Sequence, residues 1–185
     1  MLNDFKKWLG NEKKDPTLFD IIMYGSSVKG KTLPEDIDLL VIFREGSLKE
    51  RLQKLQELKK KIKTDKKIDI KSILWEELFD PAFFARTGVL LEGISIFDGK
   101  TIAQKLGFQG NVLFVYSLKE KTHTQKVKFN YVLSGRNGAG IVKKLEGKHL
   151  APGVIMIPIR HALEFEDVLK LHDIRYQRFQ VLVAT

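Results

Sequence analysis

The chain has 185 residues, 43% of them hydrophobic, and carries 32 Lys/Arg against 23 Asp/Glu for a formal net charge of +9. It contains no cysteine, which excludes disulfides, thiolate zinc sites and cysteine nucleophiles. No apolar run approaches the roughly 18 residues of a membrane span, and Met1-Leu2-Asn3-Asp4-Phe5-Lys6-Lys7 lacks the apolar core of a signal peptide, so a soluble, cytoplasmic chain with no membrane partner is expected.

Leu2, Phe5, Trp8 and Leu9 recur at helical spacing and predict a short first helix. Asn11 to Pro16 is polar and reads as a loop. Leu18 to Tyr24 is a strand, followed by a Gly-, Ser- and Lys-rich loop over Gly25 to Pro34. Asp36 to Phe43 is a second strand, whose nearly continuous apolar run suggests burial on both faces. Residues two apart in a strand share a face. Asp36 and Asp38 therefore project side by side, with Ile37 and Leu39 on the other face. Adjacent carboxylates repel each other unless a cation lies between them, and hard oxygen ligands suit Mg²⁺.

Gly25 to Thr32 also reads G-x-x-x-x-G-K-T, the P-loop pattern of nucleoside triphosphatases and kinases. A P-loop must open a helix whose N-terminus faces the phosphates. Here Pro34 follows two residues after Thr32 and a β-branched strand begins at Asp36. That spacing leaves no room for a crossover helix, so the P-loop is the weaker reading.

Ser47-Leu48-Lys49-Glu50 is a capping box. It opens an amphipathic helix over about residues 47–63, with Leu48, Leu52, Leu55, Leu58 and Ile62 on one face. Lys59-Lys60-Lys61 reads as its solvated face. Ile68 to Trp75 is a third strand. Asp69 between two isoleucines is unusual, because Asp is depleted in strands and rarely buried alone. With Ile68 and Ile70 facing the core, Asp69 faces the opposite side, where it can meet Asp36 and Asp38. Lys71 shares that face and reads mainly as a charge-balancing partner. Glu76 to Glu92 reads as helical, starting at Pro81, with Phe79, Phe83, Phe84, Val89 and Leu90 assigned to the core. Ile94 to Phe97 is a short strand and Asp98-Gly99 a turn.

Gly107 to Gly110 marks a boundary, giving domains at 1–107 and 108–185. Residues 1–100 carry 19 Lys/Arg against 17 Asp/Glu, whereas residues 101–185 carry 13 against 6. An uneven basic charge favours a polyanionic partner, with a Lys-rich solvated surface as the plainer alternative. In the second half Val112 to Leu118 is a strand. A helix over about residues 125–133 follows, capped by Thr122 or Thr124, with Val127, Tyr131 and Val132 on one face. Ser134 to Gly140 is a loop and Ile141 to Leu145 a short helix. Val154 to Ile159 is a strand, Ala162 to Leu171 a helix and Ile174 to Val183 a last strand. The order is that of a small α+β module. Arg136 in the glycine loop, with Lys143 and Lys144, is the candidate contact for a nucleic-acid backbone, although a plain turn explains the loop as well. Histidines 123, 149, 161 and 172 have no metal spacing, and no RNA-binding signature is present.

A hydrophobic residue, Gly25-Ser26, a spacer and then Asp36-Ile37-Asp38 resembles the signature of the DNA polymerase beta nucleotidyltransferase superfamily, and within it the minimal nucleotidyltransferases. Lys29-Gly30 stands where that family often has Arg-Gly, and Glu35 where it often has Ser. The resemblance covers about residues 1–100, including Leu90 to Gly99, and does not extend into residues 101–185. It implies a mixed sheet flanked by helices, so the expected fold class is α+β with α/β-like character, plus the small basic α+β module. It also implies metal-dependent transfer of a nucleoside monophosphate from a triphosphate, with ATP favoured, to an acceptor hydroxyl. Asp36, Asp38 and Asp69 would be both the catalytic residues and the ligands of Mg²⁺ or Mn²⁺. Gly25, Ser26 and Ser27 would bind the phosphates, with Lys29 and Lys31 as weaker candidates. The basic second half favours an RNA acceptor of a tRNA-like kind. A protein acceptor is the rival, because minimal nucleotidyltransferases often act as antitoxins that place AMP on a partner toxin, and some act as toxins. An inert RNA-binding protein is the third reading.

Overall fold

The computed structural model describes residues 1–28, 36–136 and 138–185, with the side chain of Ser27 also outside the description. The chain divides into two compact units, Met1–Leu106 and Gly107–Thr185. No helix among the described residues is long and apolar enough to cross a membrane.

Among the described residues the first unit has four strands: β1 (Leu18–Tyr24), β2 (Asp36–Phe43), β3 (Lys67–Leu74) and β4 (Ile94–Ser95). Their order is β3-β2-β1-β4. β1 runs antiparallel to β2 and to β4, and β2 runs parallel to β3, so the sheet is mixed. The parallel step needs a crossover, which is supplied by α2 (Leu48–Lys61). Ser47 and Glu50 close both halves of the predicted capping box at its start.

Each sheet face buries a separate core. Ile21, Met23, Ile37, Leu39 and Val41 pack with Phe5 and Leu9 of α1 (Leu2–Leu9) and with Leu55 and Leu58 of α2. Ile22, Leu40 and Ile42 pack on the other face with Leu78, with Val89 of α3 (Arg86–Leu91) and with Ile102 of α4 (Ile102–Lys105). Both faces being covered accounts for the continuous apolar run in β2.

Several expectations are corrected. Leu48 and Leu52 of α2 are exposed. At about 100° per residue the buried stripe runs through Arg51, Leu55, Leu58 and Ile62, and Leu52 falls beyond its edge. Residues 76–92 are not one helix. Glu76–Phe79 form a 3₁₀ turn, and α3 begins only at Arg86, well after Pro81. Phe84 is 91% exposed, so the phenylalanine group is only partly core. Asn11 to Pro16 is not all loop, because Gly10–Lys14 form a 3₁₀ turn that buries Glu12.

The second unit has an antiparallel sheet of order β6-β7-β5-β8. Its strands are β5 (Phe108–Ser117), β6 (Lys148–Ala151), β7 (Val154–Pro158) and β8 (Arg175–Ala184). Its helices are α5 (His123–Ser134), α6 (Ile141–Lys144) and α7 (Ala162–Leu171). Thr122, not Thr124, caps α5, through a capping box with Gln125. The buried face of α5 is Phe129 and Leu133, whereas Tyr131 is exposed. β6 escaped sequence detection because its four residues are all exposed and show no alternation. Val112, Phe114, Ile155 and Ile157 of the sheet pack with Phe129, Leu133, Phe165 and Leu169 of the helices.

Candidate active site

Strand parity sorts the side chains at one end of the first sheet. Ile37 and Leu39 belong to the core shared with α1 and α2, together with Ile68 and Ile70. Asp36, Asp38, Asp69 and Lys71 therefore lie on the opposite face. The parallel register makes Asp38 and Asp69 direct Cα partners, and the antiparallel register sets Tyr24 against Asp38 on the other side. Asp36, one step further out, pairs in register with Lys67 and is exposed. Asp38 and Asp69 are both half-buried.

The electrostatics follow from this crowding. Burial raises the Asp38 carboxyl above the ordinary range, and the charges of Asp69 and Asp36 push it the same way, against the pull of Lys71. Lys71 Nζ lies 3.0 Å from Asp69 Oδ2. Its hydrogen bond to Asp69, with the nearby Tyr24, Asp69 and Asp38 groups, holds the ammonium above its usual pKa. Burial likewise raises the Tyr24 phenol.

The turn after β1 completes this end of the sheet. Gly25–Ser27 form a 3₁₀ turn, in which the Val28 N–H donates to the Gly25 carbonyl. Gly25 has φ +75°, and a Cβ placed on it would overlap Asp38 Oδ2. Glycine is thus required twice, by its backbone conformation and by the carboxylate packed on it. β2 then returns antiparallel to β1, starting at Asp36. A strand therefore begins at Asp36, four residues after Thr32, where a P-loop requires a helix with its N-terminus at the phosphates.

Residues 6–86 match the family of nucleotidyltransferase domains. The matched span holds the Gly-Ser turn, the Asp-Ile-Asp strand and Asp69, and the mixed sheet with its flanking helices is consistent with that fold. It ends before Leu90 to Gly99 and before the second unit. No curated protein and no solved structure matches the chain significantly. A nucleotidyltransferase domain takes a nucleoside triphosphate and, in general, a divalent metal.

The residues predicted for the site are partly gathered. Asp38 and Asp69 stand in register, Gly25 packs on Asp38, Ser26 follows it, and Asp36 stands outermost on the same strand face. Lys29 and Lys31 lie outside the described residues. Among the described residues no group of three or more acidic, histidine or cysteine side chains is drawn together tightly enough to hold a metal ion. The donor set nonetheless fits a hard divalent cation. It is oxygen-only and anionic, and Mg²⁺ is usually held by one or two carboxylates plus substrate phosphates. Asp38 and Asp69 would supply those two carboxylates, with Asp36 able to swing in from the same face.

Arg136, Lys143 and Lys144 belong to the second unit and are exposed. The Arg136 guanidinium stacks 5.4 Å from the Tyr131 ring centre. Tyr24 was not singled out in the sequence, and only the register places it beside Asp38. Asp20 was also passed over. It is fully buried, bonded by Ser95 Oγ at 2.7 Å and paired with Lys105. An acid inside the apolar run Phe19-Asp20-Ile21 is the same anomaly that exposed Asp69. Asp20 instead ties β1 to β4 and α4.

Proposed function

We propose that the first unit transfers a nucleoside monophosphate, AMP by preference, to a hydroxyl on an RNA, with Asp36, Asp38 and Asp69 as its acidic machinery. The observation that carries this reading is the in-register pair Asp38 and Asp69 beside the Gly25 turn. Two half-buried acids side by side repel each other, the single Lys71 ammonium offsets only one of the two charges, and the matched domain supplies a reason for a divalent cation.

In the reaction the acceptor oxygen forms a bond to the α-phosphorus, the α–β phosphoanhydride breaks, and pyrophosphate leaves. A bound Mg²⁺ or Mn²⁺ would supply charge neutralisation for the transferring phosphoryl group and the attacking oxygen. Asp36 and Asp38 would hold cations on both the triphosphate and the acceptor side, and Asp69 only the one on the acceptor side. Asp69 would also take the proton from the attacking hydroxyl. The Gly25 and Ser26 backbone lies at the same end of the sheet and would receive the β- and γ-phosphates at close approach. Ser27, Lys29 and Lys31 are assigned to the same phosphates.

The RNA acceptor rests on charge. Residues 101–185 carry 13 Lys/Arg against 6 Asp/Glu, and phosphate contacts would give such a unit salt-dependent affinity. Arg136, Lys143 and Lys144 are the exposed contacts proposed there. The test is incubation with each labelled triphosphate, Mg²⁺, and either total RNA or cell lysate. Label on RNA is the expected result. Label on protein alone replaces the RNA acceptor with a protein acceptor, and RNA binding without label on any polymer makes the chain an inert binder.

A further inference from the structure

A sheet edge offers a row of unpaired backbone groups to any second strand, and most proteins blunt such edges. Among the described residues the two sheets have four edges, and three are blunted. β3 carries Lys67 and Lys71, β4 has two residues, and β6 has four residues with a register break between His149 and Ala151. β8 is the exception. It runs ten residues in unbroken register along β5, with no proline and no bulge, and no strand lies beyond it among the described residues.

Its charges do not guard it. Both arginines sit in the first half, and each is paired within its own unit, Arg175 with Glu120 at 2.8 Å and Arg178 with Glu166 at 3.1 Å. The second half, Gln180-Val181-Leu182-Val183-Ala184, has no charge at all. Phe179 and Leu182 are about half exposed, one on each face of the strand.

We infer that β8 is a self-association edge, and that a second copy of this chain adds its own β8 antiparallel to form one continuous sheet across a twofold axis. Antiparallel pairing is selected by charge. A parallel arrangement would set Arg175 and Arg178 beside their own copies, and like charges directly opposite are destabilising. An antiparallel one sets the charged half of each strand against the uncharged half of the other.

The register is also constrained. Directly opposed residues share a face. For both copies to keep their helices on the same side of the sheet, opposed positions must have the same parity. Placing Gln180 opposite itself satisfies this. Phe179 then meets Val181 of the second copy twice, Gln177 meets Val183, and Arg178 meets Leu182. Phe179 and Val181 lie on the face of the sheet that also carries Leu113, Val115 and Met156, so the join would extend an existing apolar surface. An aromatic against a β-branched residue is among the favourable cross-strand pairs.

The cysteine-free sequence makes the test clean. Gln180→Cys should form a covalent dimer on mild oxidation, because opposed antiparallel residues lie about 5 Å apart, within disulfide reach. Gln177→Cys should not, because its own copy would be six residues away, about 20 Å at roughly 3.4 Å per residue. Sedimentation of the unmodified full chain at micromolar concentration should show a dimer. The double variant Phe179→Lys with Val181→Lys, which sets lysine against lysine twice, should sediment as a monomer with an unchanged circular dichroism spectrum. A monomeric unmodified chain, a dimer that survives both lysines, or cross-linking through residue 177 rather than 180 would each overturn the inference.

Discussion

Lys71 Nζ lies 3.0 Å from Asp69 Oδ2, on the strand that carries Asp69 in register with Asp38. The ammonium is thus the resident counter-charge of the carboxylate pair. A divalent ion on Asp69 must compete with it, so removing the amine should strengthen metal binding in the absence of nucleotide. Lys71→Gln is expected to tighten Mn²⁺ affinity on the order of threefold to tenfold, the scale of a partly solvated charge at this range. Lys71→Arg, which keeps the charge, should behave as the parent. Titration of Mn²⁺ followed by electron paramagnetic resonance reads both. Weaker binding in Lys71→Gln would make Lys71 a positioning group rather than a competitor.

Asp69→Asn keeps the size of the side chain but removes a ligand charge and a proton acceptor. Transfer should fall by about 100- to 1,000-fold, the range seen when one group stabilising a transition state is lost. Triphosphate binding should change little, since the Gly25 turn and Asp38 remain. Single-turnover transfer and equilibrium nucleotide binding, measured on the same preparation, separate the two effects. Full turnover in this variant would remove Asp69 from the mechanism.

Much of this site was legible in the sequence because strands obey a two-residue period. Asp36 and Asp38 flank Ile37, and Asp69 stands between Ile68 and Ile70, so each acid could be assigned to a face before any pairing was known. The parallel register that brings Asp38 level with Asp69 was not legible. It depends on the length and packing of α2, which periodicity does not encode. Tyr24 was not legible either, because it is the antiparallel register of β1 on β2 that sets it against Asp38. The region after β3 failed differently. Phe79, Phe83 and Phe84 suggest bulk for a core, but Pro81 and the turns around it break the helix that would have aligned them. Phe84 is left 91% exposed.

Gly25 should tolerate no side chain. Its φ of +75° disfavours L-residues, and the added Cβ would meet Asp38 Oδ2. The backbone term alone costs about 1–2 kcal/mol. The carboxylate can rotate away, so Gly25→Ala should still fold. Its activity should suffer more than its stability, because Asp38 is displaced from Asp69. A comparison of thermal midpoint with transfer rate tests this, and a variant that loses stability but keeps full activity would contradict it.

Acid should loosen the first unit through Asp15. Its hydrogen bond from Lys54, aided by Thr17, lowers the carboxyl from 3.8 to about 2. A depressed pKa means that the unfolded chain binds the proton more readily. The contribution is therefore complete above about pH 4 and is lost as the pH falls toward 2. Lys54 Nζ reaches Asp15 at 2.6 Å and the buried Glu12 at 2.8 Å. Lys54→Met should consequently lower stability at neutral pH and flatten the acid limb of the stability profile. Urea unfolding between pH 2 and 6 gives both readings.

Lys105→Met isolates the buried acid of β1. Asp20 is fully buried, held by Ser95 Oγ, by the Ile21 N–H at 2.8 Å and by Lys105. Burial raises its carboxyl, and Lys105 opposes that rise. Without the ammonium the acid is left in a dry site with no counter-charge. Breaking a buried pair from one side costs about 3–5 kcal/mol. In the variant Asp20 would bind its proton more tightly when folded than when unfolded, so the lost stability should return as the pH falls. Asp20→Asn added to Lys105→Met should restore part of it at neutral pH, because the amide needs no counter-ion. Unfolding curves of the single and double variants at two pH values decide the matter, and an equal loss at both would show that Lys105 acts through packing alone.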